Sequence, residues 1–375
     1  MRIVHPISML RSSAIHIPRR ALGAICLATV CAILIAGLWP FCAPLNEVAW
    51  VKQGNAIRFG EHGAALSFDR LDFADQTRTA CGFEIWVRPS KTWVTGSILT
   101  FYGFPESREF RLEQEYTDLV LRHRSGERND KDKRQALRIG NVFRKKQALI
   151  TVTSDGRQTS VYIDGQPAGR SPDLKLSKRD LSGQLILANS PFRSQSWPGQ
   201  IKGLAIYGSN LDAEQVQRHY QNWAEHGEPL PQVPEQALAL FLFRERCGNV
   251  IHNAVTGGIN LEVPKRFLVV NQLRFESPVS EYHSTRSYLK NALLNIAGFV
   301  PLGFVLSLYL AADPRIRRAT LLTVLTGMAV SLAIEYFQSF LPTRYSGCTD
   351  LITNTIGTCI GALWRKGLAS RITVA

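Results

Sequence analysis

Acidic residues are absent from positions 1–42, where four Arg stand, and only three occur in 290–375 against eight basic side chains. Charged residues of both signs make up only 20% of the 375-residue chain, while 45% are hydrophobic. Gly (28) and Pro (18) are too few and too scattered for a collagen-like or low-complexity chain. The seven Cys and eight His show no spacing that matches a zinc site, so no metal or cofactor is expected. The net charge of +14 does not point to nucleic acid. Residues 43–289 are nearly balanced, with 32 basic and 27 acidic side chains, so the excess lies at the two ends, as in segments flanking a membrane.

Long apolar runs carry that reading further. Residues 21–41 (ALGAICLATVCAILIAGLWPF) hold no charge, and about 20 apolar residues span a bilayer core as a helix. Arg2, Arg11, Arg19 and Arg20 precede the run, which predicts a cytoplasmic segment 1–20. The run is longer than a signal-peptide core and no A-x-A site follows, so an uncleaved anchor is expected. Three further spans are expected at 291–312, 319–341 and 347–364, the last being the weakest because Asp350 and Asn354 lie in its first half. Arg315, Arg317 and Arg318 fall between the second and third, and Arg365, Lys366 and Arg371 in the tail 365–375. Four spans put every such cluster on the cytoplasmic side, with both termini inside and the large middle exported. A multi-pass membrane protein is expected, with membrane lipid as a partner.

Residues 45–265 read as all-β, with 266–290 as a linker. At 82–88 (GFEIWVR), Phe83, Ile85 and Val87 alternate with Glu84, Trp86 and Arg88. The runs 148–153 and 158–163 are followed by Asp155-Gly156 and Asp164-Gly165, a hairpin signal because Gly accepts positive φ. Strands are expected also at 185–188, 201–207 and 238–243, with a short amphipathic helix at 212–223. Pro229, Pro231 and Pro234 predict an exposed loop, and the charge run 124–134 a solvated one. Many short strands in about 220 residues argue a two-sheet sandwich or jelly roll. Trp93, Tyr102 and Trp197 stand in loop-like contexts from which aromatic rings stack on sugars, although a core role is the commoner one. Cys81 with Cys247, and Cys42 with Cys348, leave two disulfides open.

The segments 83–89, 150–169, 199–220 and 241–263 resemble, in order and spacing, concanavalin-like laminin-G domains. The resemblance implies a glycan- or protein-binding module. Family members often carry an acidic residue that helps bind Ca²⁺ after the Gly-x-Ile strand, and Lys202 stands at that place.

Polar residues interrupt the C-terminal apolar runs in a pattern. Ser331, Glu335 and Gln338 fall at i, i+4 and i+7, one face of the third span. Asn291 and Asn295 are paired in this way on the second span, Asp350 and Asn354 on the fourth. Gly357 and Gly361 continue the Asn354 face as G-x-x-x-G, which allows close backbone approach. Pro301 and Gly303 loosen the second helix. With the expected topology, Glu335 lies roughly 9 Å below the outer end, and Asn295 and Asn354 roughly 6 Å below it, at about 1.5 Å per residue. Arg344 lies in the outer loop between Glu335 and Asp350. A charge in hydrocarbon costs a few kcal/mol unless paired or hydrated.

These residues, Asn295…Pro301-Leu302-Gly303, Ser331…Glu335…Gln338, Pro342-x-Arg344 and Asp350…Asn354…Gly357…Gly361, resemble the VanZ-like membrane family, with residues 21–41 as its first helix. The resemblance implies a four-helix transmembrane bundle with the all-β concanavalin-like jelly-roll sandwich inserted between its first and second helices. It also implies a place at the cell envelope, in the bacterial cytoplasmic (inner) membrane, and a link to glycopeptide (teicoplanin) resistance, without a settled reaction.

Several functions fit these residues. One is binding of a glycopeptide, lipid-linked or polysaccharide head group by Asn295, Gln338, Arg344 and Asn354, with Ser331, Pro301, Gly303, Gly357 and Gly361 structural. A second is an enzyme with Glu335 or Asp350 as general acid or base and Arg344 on a phosphate. A third is proton relay through Glu335. The last is purely structural, with Glu335 paired to Arg344 and amides joining the helices. In the first of these, the sandwich binds glycan or an envelope protein.

Overall fold

The computed structural model describes residues 15–73, 79–104, 108–124, 135–145, 147–226, 237–281, 286–368 and 372–374. Most of the charge run 124–134, the prolines at 229, 231 and 234, and Arg2, Arg11 and Arg371 lie outside them. The chain divides into two compact units, residues 43–272 and residues 1–42 with 273–375.

The middle unit is a sandwich. Among the described residues, one eight-stranded sheet runs in spatial order Gln166–Ser171, Thr159–Ile163, Ala148–Ser154, Cys81–Pro89, Gly199–Tyr207, Ile57–Phe59 and Val48–Trp50, with Ala237–Phe241 also on Gly199–Tyr207. The second runs Val250–Ile251, Leu261–Glu262, Ala65–Leu66, Gln184–Leu187, Thr95–Gly103, Arg108–Glu115, Asp118–Arg124 and Gln135–Ile139. Within these sheets the paired strands are antiparallel. Period-2 alternation sends Phe83, Ile85 and Val87 into the shared core, where Phe83, Phe101 and Phe110 contact one another with centroids 5.7–6.5 Å apart. The Asp164-Gly165 turn has φ of +53° and +78°, and Ile163 pairs with Gln166 across it, as a two-residue hairpin requires.

The other face of the Cys81–Pro89 strand is covered as well. The helix here expected at 212–223 runs Ala213–His226, behind Asp212, whose carboxylate accepts from the Gln215 amide. It lays Trp223 against Trp86 and His219 beside Tyr207. Glu84 is therefore fully buried, accepting from Thr151 (3.1 Å) and Tyr207 (2.8 Å) and lying 2.9 Å from His219 Nδ1. Burial first, and the Glu84 carboxylate second, push the Tyr207 phenol upward.

Helices make the second unit: α1 (Arg19–Leu38), then, after the sandwich helix α2 (Ala213–His226), α3 (Pro278–Glu281), α4 (Arg286–Ala311), α5 (Ala319–Gln338) and α6 (Cys348–Gly367). Helix α4 packs along α6, α5 and α1, and α5 along α6. Glycine sets the α4–α6 distance. A Cβ on Gly303 would stand 2.0 Å from the Thr358 carbonyl oxygen, one on Gly357 2.2 Å from that of Ile296, and one on Gly361 2.1 Å from that of Val300.

Three of these helices are long and apolar enough to cross a membrane: Arg19–Leu38, Tyr288–Ala311 and Ala319–Gln338. Four were expected, and α6 falls short because Thr349, Asp350, Thr353, Asn354, Thr355 and Thr358 dilute its composition. Its pattern is nevertheless inverted relative to a helix of a water-soluble core. Asn354, Gly357, Thr358 and Gly361 are buried, while Ile352, Ile356, Ile360 and Leu363 are exposed. Helix α5 behaves alike, burying Thr323, Ser331, Glu335 and Gln338 and exposing Leu321, Leu325, Met328 and Leu332.

Candidate functional site

The polar residues of the helical unit converge. Asn291 and Asn295 of α4, Glu335 and Gln338 of α5, Arg344 of the α5–α6 loop, and Asp350 and Asn354 of α6 line one cavity of about 420 Å³. Apolar residues complete it, among them Ile33 and Gly37 of α1 and Phe299 of α4.

The lining divides by what each side chain holds. Glu335, 1% exposed, accepts from the backbone N–H of Gly347 at 2.9 Å. Gly347 caps α6, so the carboxylate sits at that helix's N-terminus, where backbone amides and the dipole favour an anion. Gln338 donates through Nε2 to the Gly37 carbonyl at 2.7 Å. Arg344 donates through Nε (2.9 Å) and Nη2 to the Trp39 carbonyl. Both satisfy carbonyls at the C-terminal end of α1, which the helix itself leaves without donors. Thus Glu335 and Gln338 tie neighbouring segments to α5, and Arg344 ties the end of α1 to the α5–α6 loop.

The other group faces the cavity through side chains bonded to one another. Asn295 donates through Nδ2 to Asp350 Oδ1 at 2.7 Å, and Asn354 through Nδ2 to Ser331 Oγ at 2.9 Å. Asn354 is 5% exposed, and its Oδ1 has no hydrogen-bond partner among the described residues. A buried acceptor without a donor costs about 1–3 kcal/mol. It is therefore a place for a donor from outside the chain, such as water or a ligand hydroxyl or amine.

Aromatic residues ring this end of the unit. Trp39 stacks edge-on against Phe41 (5.8 Å), Tyr336 against Phe340 (5.2 Å), and Arg274 lies 5.0 Å over the Phe340 ring. Trp39, Phe41, Tyr336, Phe337, Phe340 and Tyr345 are all exposed. At the opposite end, Arg19 bonds Asp313 at 2.9 Å and lies over Tyr309, near Arg315, Arg317 and Arg318 in sequence. There Arg365 of α6 also donates to Ser307 of α4 at 2.9 Å.

Sequence reasoning named Asn295, Glu335, Gln338, Arg344, Asp350 and Asn354, and one cavity gathers them. Ser331 stands behind Asn354, while Gly303, Gly357 and Gly361 form the α4–α6 contact. Pro301 lies within α4 and does not line the cavity. The α1 contribution, Ile33, Ala36 and Gly37, was missed, since small and apolar residues in an apolar run carry no distinguishing signal.

In the sandwich, the three aromatic candidates separate. Trp197 and Tyr102 are core residues: Trp197 is fully buried and donates to Gln114 Oε1, and Tyr102 accepts from Asn271. Trp93 is 78% exposed and lies 5.8 Å from the ring of Tyr116, itself 56% exposed. Lys202 sits 4.5 Å over the Trp86 ring and donates to Gln147. Among the described residues no group of three His, Cys, Asp or Glu could hold a metal ion. All seven Cys are free thiols, so neither disulfide left open by the sequence is formed, and burial pushes the Cys81 thiol well up.

Residues 235–368 match the VanZ/LLP1 family model, and residues 60–217 match the model described as the concanavalin A-like lectin/glucanases superfamily. The helix α1 lies outside both matched ranges. No curated protein matches the chain. Among solved structures, the receptor binding domain of botulinum neurotoxin mosaic serotype C/D is 13% identical with a TM-score of 0.37, over 47% of this chain and 44% of that one. The binding domain of Paraclostridial Mosquitocidal Protein 1 is 12% identical with a TM-score of 0.36, over 48% and 47%. The CBM40 domain of the Ruminococcus gnavus IT-sialidase, bound to α2,3 sialyllactose, is 11% identical with a TM-score of 0.31, over 42% and 98%. The chain thus spans about half the length of the first two.

Proposed function

We propose that this protein is a VanZ-like integral membrane protein of the cell envelope, with four spans, an exported lectin-like sandwich, and a head-group-binding cavity near the outer face of the bilayer. Three apolar helices support the membrane reading, and the outward apolar stripe of α6 supports the fourth span, because such a stripe suits contact with hydrocarbon rather than water. The exposed aromatic rim is what membrane proteins carry at the headgroup level, and the cavity residues Glu335, Gln338 and Arg344 interleave in sequence with Tyr336, Phe337, Phe340 and Tyr345 of that rim. The Arg-rich opposite end then faces the cytoplasm.

The observation that carries the binding role is the cavity itself. Donors and acceptors from three helices surround about 420 Å³, and Asn354 is one of the lining residues, its buried Oδ1 without a partner among the described residues. Asn291, Asn295, Asp350 and Asn354 are the binding residues, while Glu335, Gln338 and Arg344 hold the frame. A glycopeptide, a lipid-linked sugar or an envelope polysaccharide offers the hydroxyls and amides that such a lining takes. The sandwich, with Trp93 and Tyr116 as an exposed aromatic pair, engages glycan or an envelope protein on the same side.

The test compares glycopeptide susceptibility and envelope polysaccharide in a deletion strain complemented with wild type, Asn354→Leu or Asp350→Asn, at matched membrane levels. Both variants are expected to behave as the deletion. Behaviour like wild type by both would overturn the reading.

A second reading, with Glu335 as a catalytic acid or base, is disfavoured by its position. Its carboxylate caps α6 through Gly347, and removing the charge unsettles a helix end before it changes any chemistry.

A further inference from the structure

The outer surface of α4 carries a second cavity of about 440 Å³, lined by Arg286, Leu289, Lys290, Leu293, Leu294 and Ala297. These positions recur at three- and four-residue steps, so they form one stripe along the helix. Leu294 lines this groove and the polar cavity alike, so the two are neighbours with one side chain between them. Leu289, Leu293 and Leu294 are each about 60% exposed.

Chemistry is graded along the groove. Its two cations stand at the N-terminal end of α4, one turn apart. Arg286 precedes the apolar segment Tyr288–Ala311 and Lys290 lies in its first turn. Among the described residues no acid is paired with either. From Lys290 to Ala297 the helix rises about 10 Å, the length of eight or so methylenes, with apolar lining throughout. The polar cavity beside it holds two carboxylates, Glu335 and Asp350, one guanidinium, Arg344, which donates to the Trp39 carbonyl, and Asn354. Its acids outnumber its one cation, whereas the groove holds two cations and no acid, so a phosphate is drawn to Arg286 and Lys290. Hydroxyls are suited to the cavity, hydrocarbon to the groove.

We propose that the ligand is a lipid phosphate with a hydroxyl-bearing head. Its acyl chain lies along Leu289, Leu293 and Ala297, its phosphate sits between Arg286 and Lys290, and its hydroxyls reach past Leu294 to Asp350 and Asn354. This rests on the head-group reading above and deepens it by naming the ligand class and the path of its chain.

The test is retention of added lipid by the purified full-length protein in a neutral detergent, read by native mass spectrometry. Three probes separate the contributions: phosphatidylglycerol carries phosphate and head hydroxyls, phosphatidic acid only phosphate, and phosphatidylcholine a phosphate neutralised by its own cation and no hydroxyl. Wild type is expected to retain them in that order, with about tenfold between first and last, as charge-assisted contacts give. Replacing Arg286 and Lys290 together by Ala should bring phosphatidic acid down to the level of phosphatidylcholine and lower phosphatidylglycerol, which then exceeds both only by its hydroxyls. Leu293→Trp, which fills the groove, should lower all three. Asn354→Leu should lower phosphatidylglycerol to phosphatidic acid and leave the latter unchanged. Circular dichroism and thermal melting establish that each variant is folded. Equal retention of the three lipids, or a preference for phosphatidic acid over phosphatidylcholine that survives loss of both cations, overturns the lipid-phosphate proposal while leaving the cavity reading standing. An unchanged ratio of phosphatidylglycerol to phosphatidic acid in Asn354→Leu overturns the cavity reading itself.

Discussion

Asn295 and Asp350, 55 residues apart on α4 and α6, are joined by a 2.7 Å hydrogen bond from Nδ2 to Oδ1 at the edge of the polar cavity. The bond is charge-assisted and holds the Asp350 carboxylate toward α4. It stands on a helix pair brought close by Gly303, Gly357 and Gly361, so one backbone contact sets both the packing and the geometry of the binding residues.

Enlarging that contact should therefore unmake the site. Gly357→Val puts a Cβ 2.2 Å from the Ile296 carbonyl oxygen, which is backbone and cannot swing aside. A loss of about 1–3 kcal/mol, or failure to accumulate folded protein, is expected for such overpacking. Thermal unfolding in detergent checks this; a melting temperature equal to wild type would contradict the described approach.

Releasing α1 is a separate matter. Arg344→Ala leaves the Trp39 carbonyl without its guanidinium donor, and Gln338→Leu does the same for Gly37. Each is expected to fray the C-terminal turn of α1 while α4, α5 and α6 stay packed. The measurement is the rate of maleimide reaction at an introduced Gly37→Cys in a cysteine-free background. It should rise several-fold with either substitution, and an unchanged rate would refute the clasp.

The sandwich contains its own acid-sensitive element. Burial raises the Asp180 carboxyl, but hydrogen bonds from His123 and Ser177 and the charge of His123 outweigh it, so the net shift is downward. A carboxylate depressed in the folded state adds stability above its unfolded value near 4, and this is lost as pH falls through the folded value. Asp180→Asn should lower stability at pH 7 by about 1–3 kcal/mol and flatten the acid limb of stability against pH. Denaturant unfolding between pH 3 and 7 reads both, and a variant that keeps the wild-type slope would count against this assignment.

Trp93 is exposed and touches Tyr116 at the surface, so its removal should barely alter folding. Trp93→Ala is expected to keep the melting temperature within a degree or two. It should weaken capture of isolated envelope polysaccharide several-fold, as loss of one aromatic contact does. Unchanged capture would move the glycan-binding role away from this pair.

The sequence made some of this legible and hid the rest for definite reasons. The Glu335, Asn354 and Asn295 faces were readable because polar residues at helical spacing stand out in an apolar run. The small-residue face of α6 was readable from Gly357 and Gly361. The roles of Gln338 and Arg344 were not, because their partners are the carbonyls of Gly37 and Trp39, and a backbone acceptor leaves no mark in a sequence. In the sandwich, alternation located the Cys81–Pro89 strand but not the burial of Glu84, which depends on α2 returning from over 120 residues later to cover it. Trp197 stands in a loop-like sequence context, yet its backbone bond to Ala188 and its indole bond to Gln114 hold it inside the core, the commoner role for such a ring.

The central claim is that the amides and carboxylate of the cavity open toward the exported side of a bilayer. Asn291→Cys in an otherwise cysteine-free chain tests it, with a membrane-impermeant maleimide applied to spheroplasts or to inverted vesicles. The account predicts labelling of spheroplasts and protection of inverted vesicles. Reaction confined to inverted vesicles would contradict it.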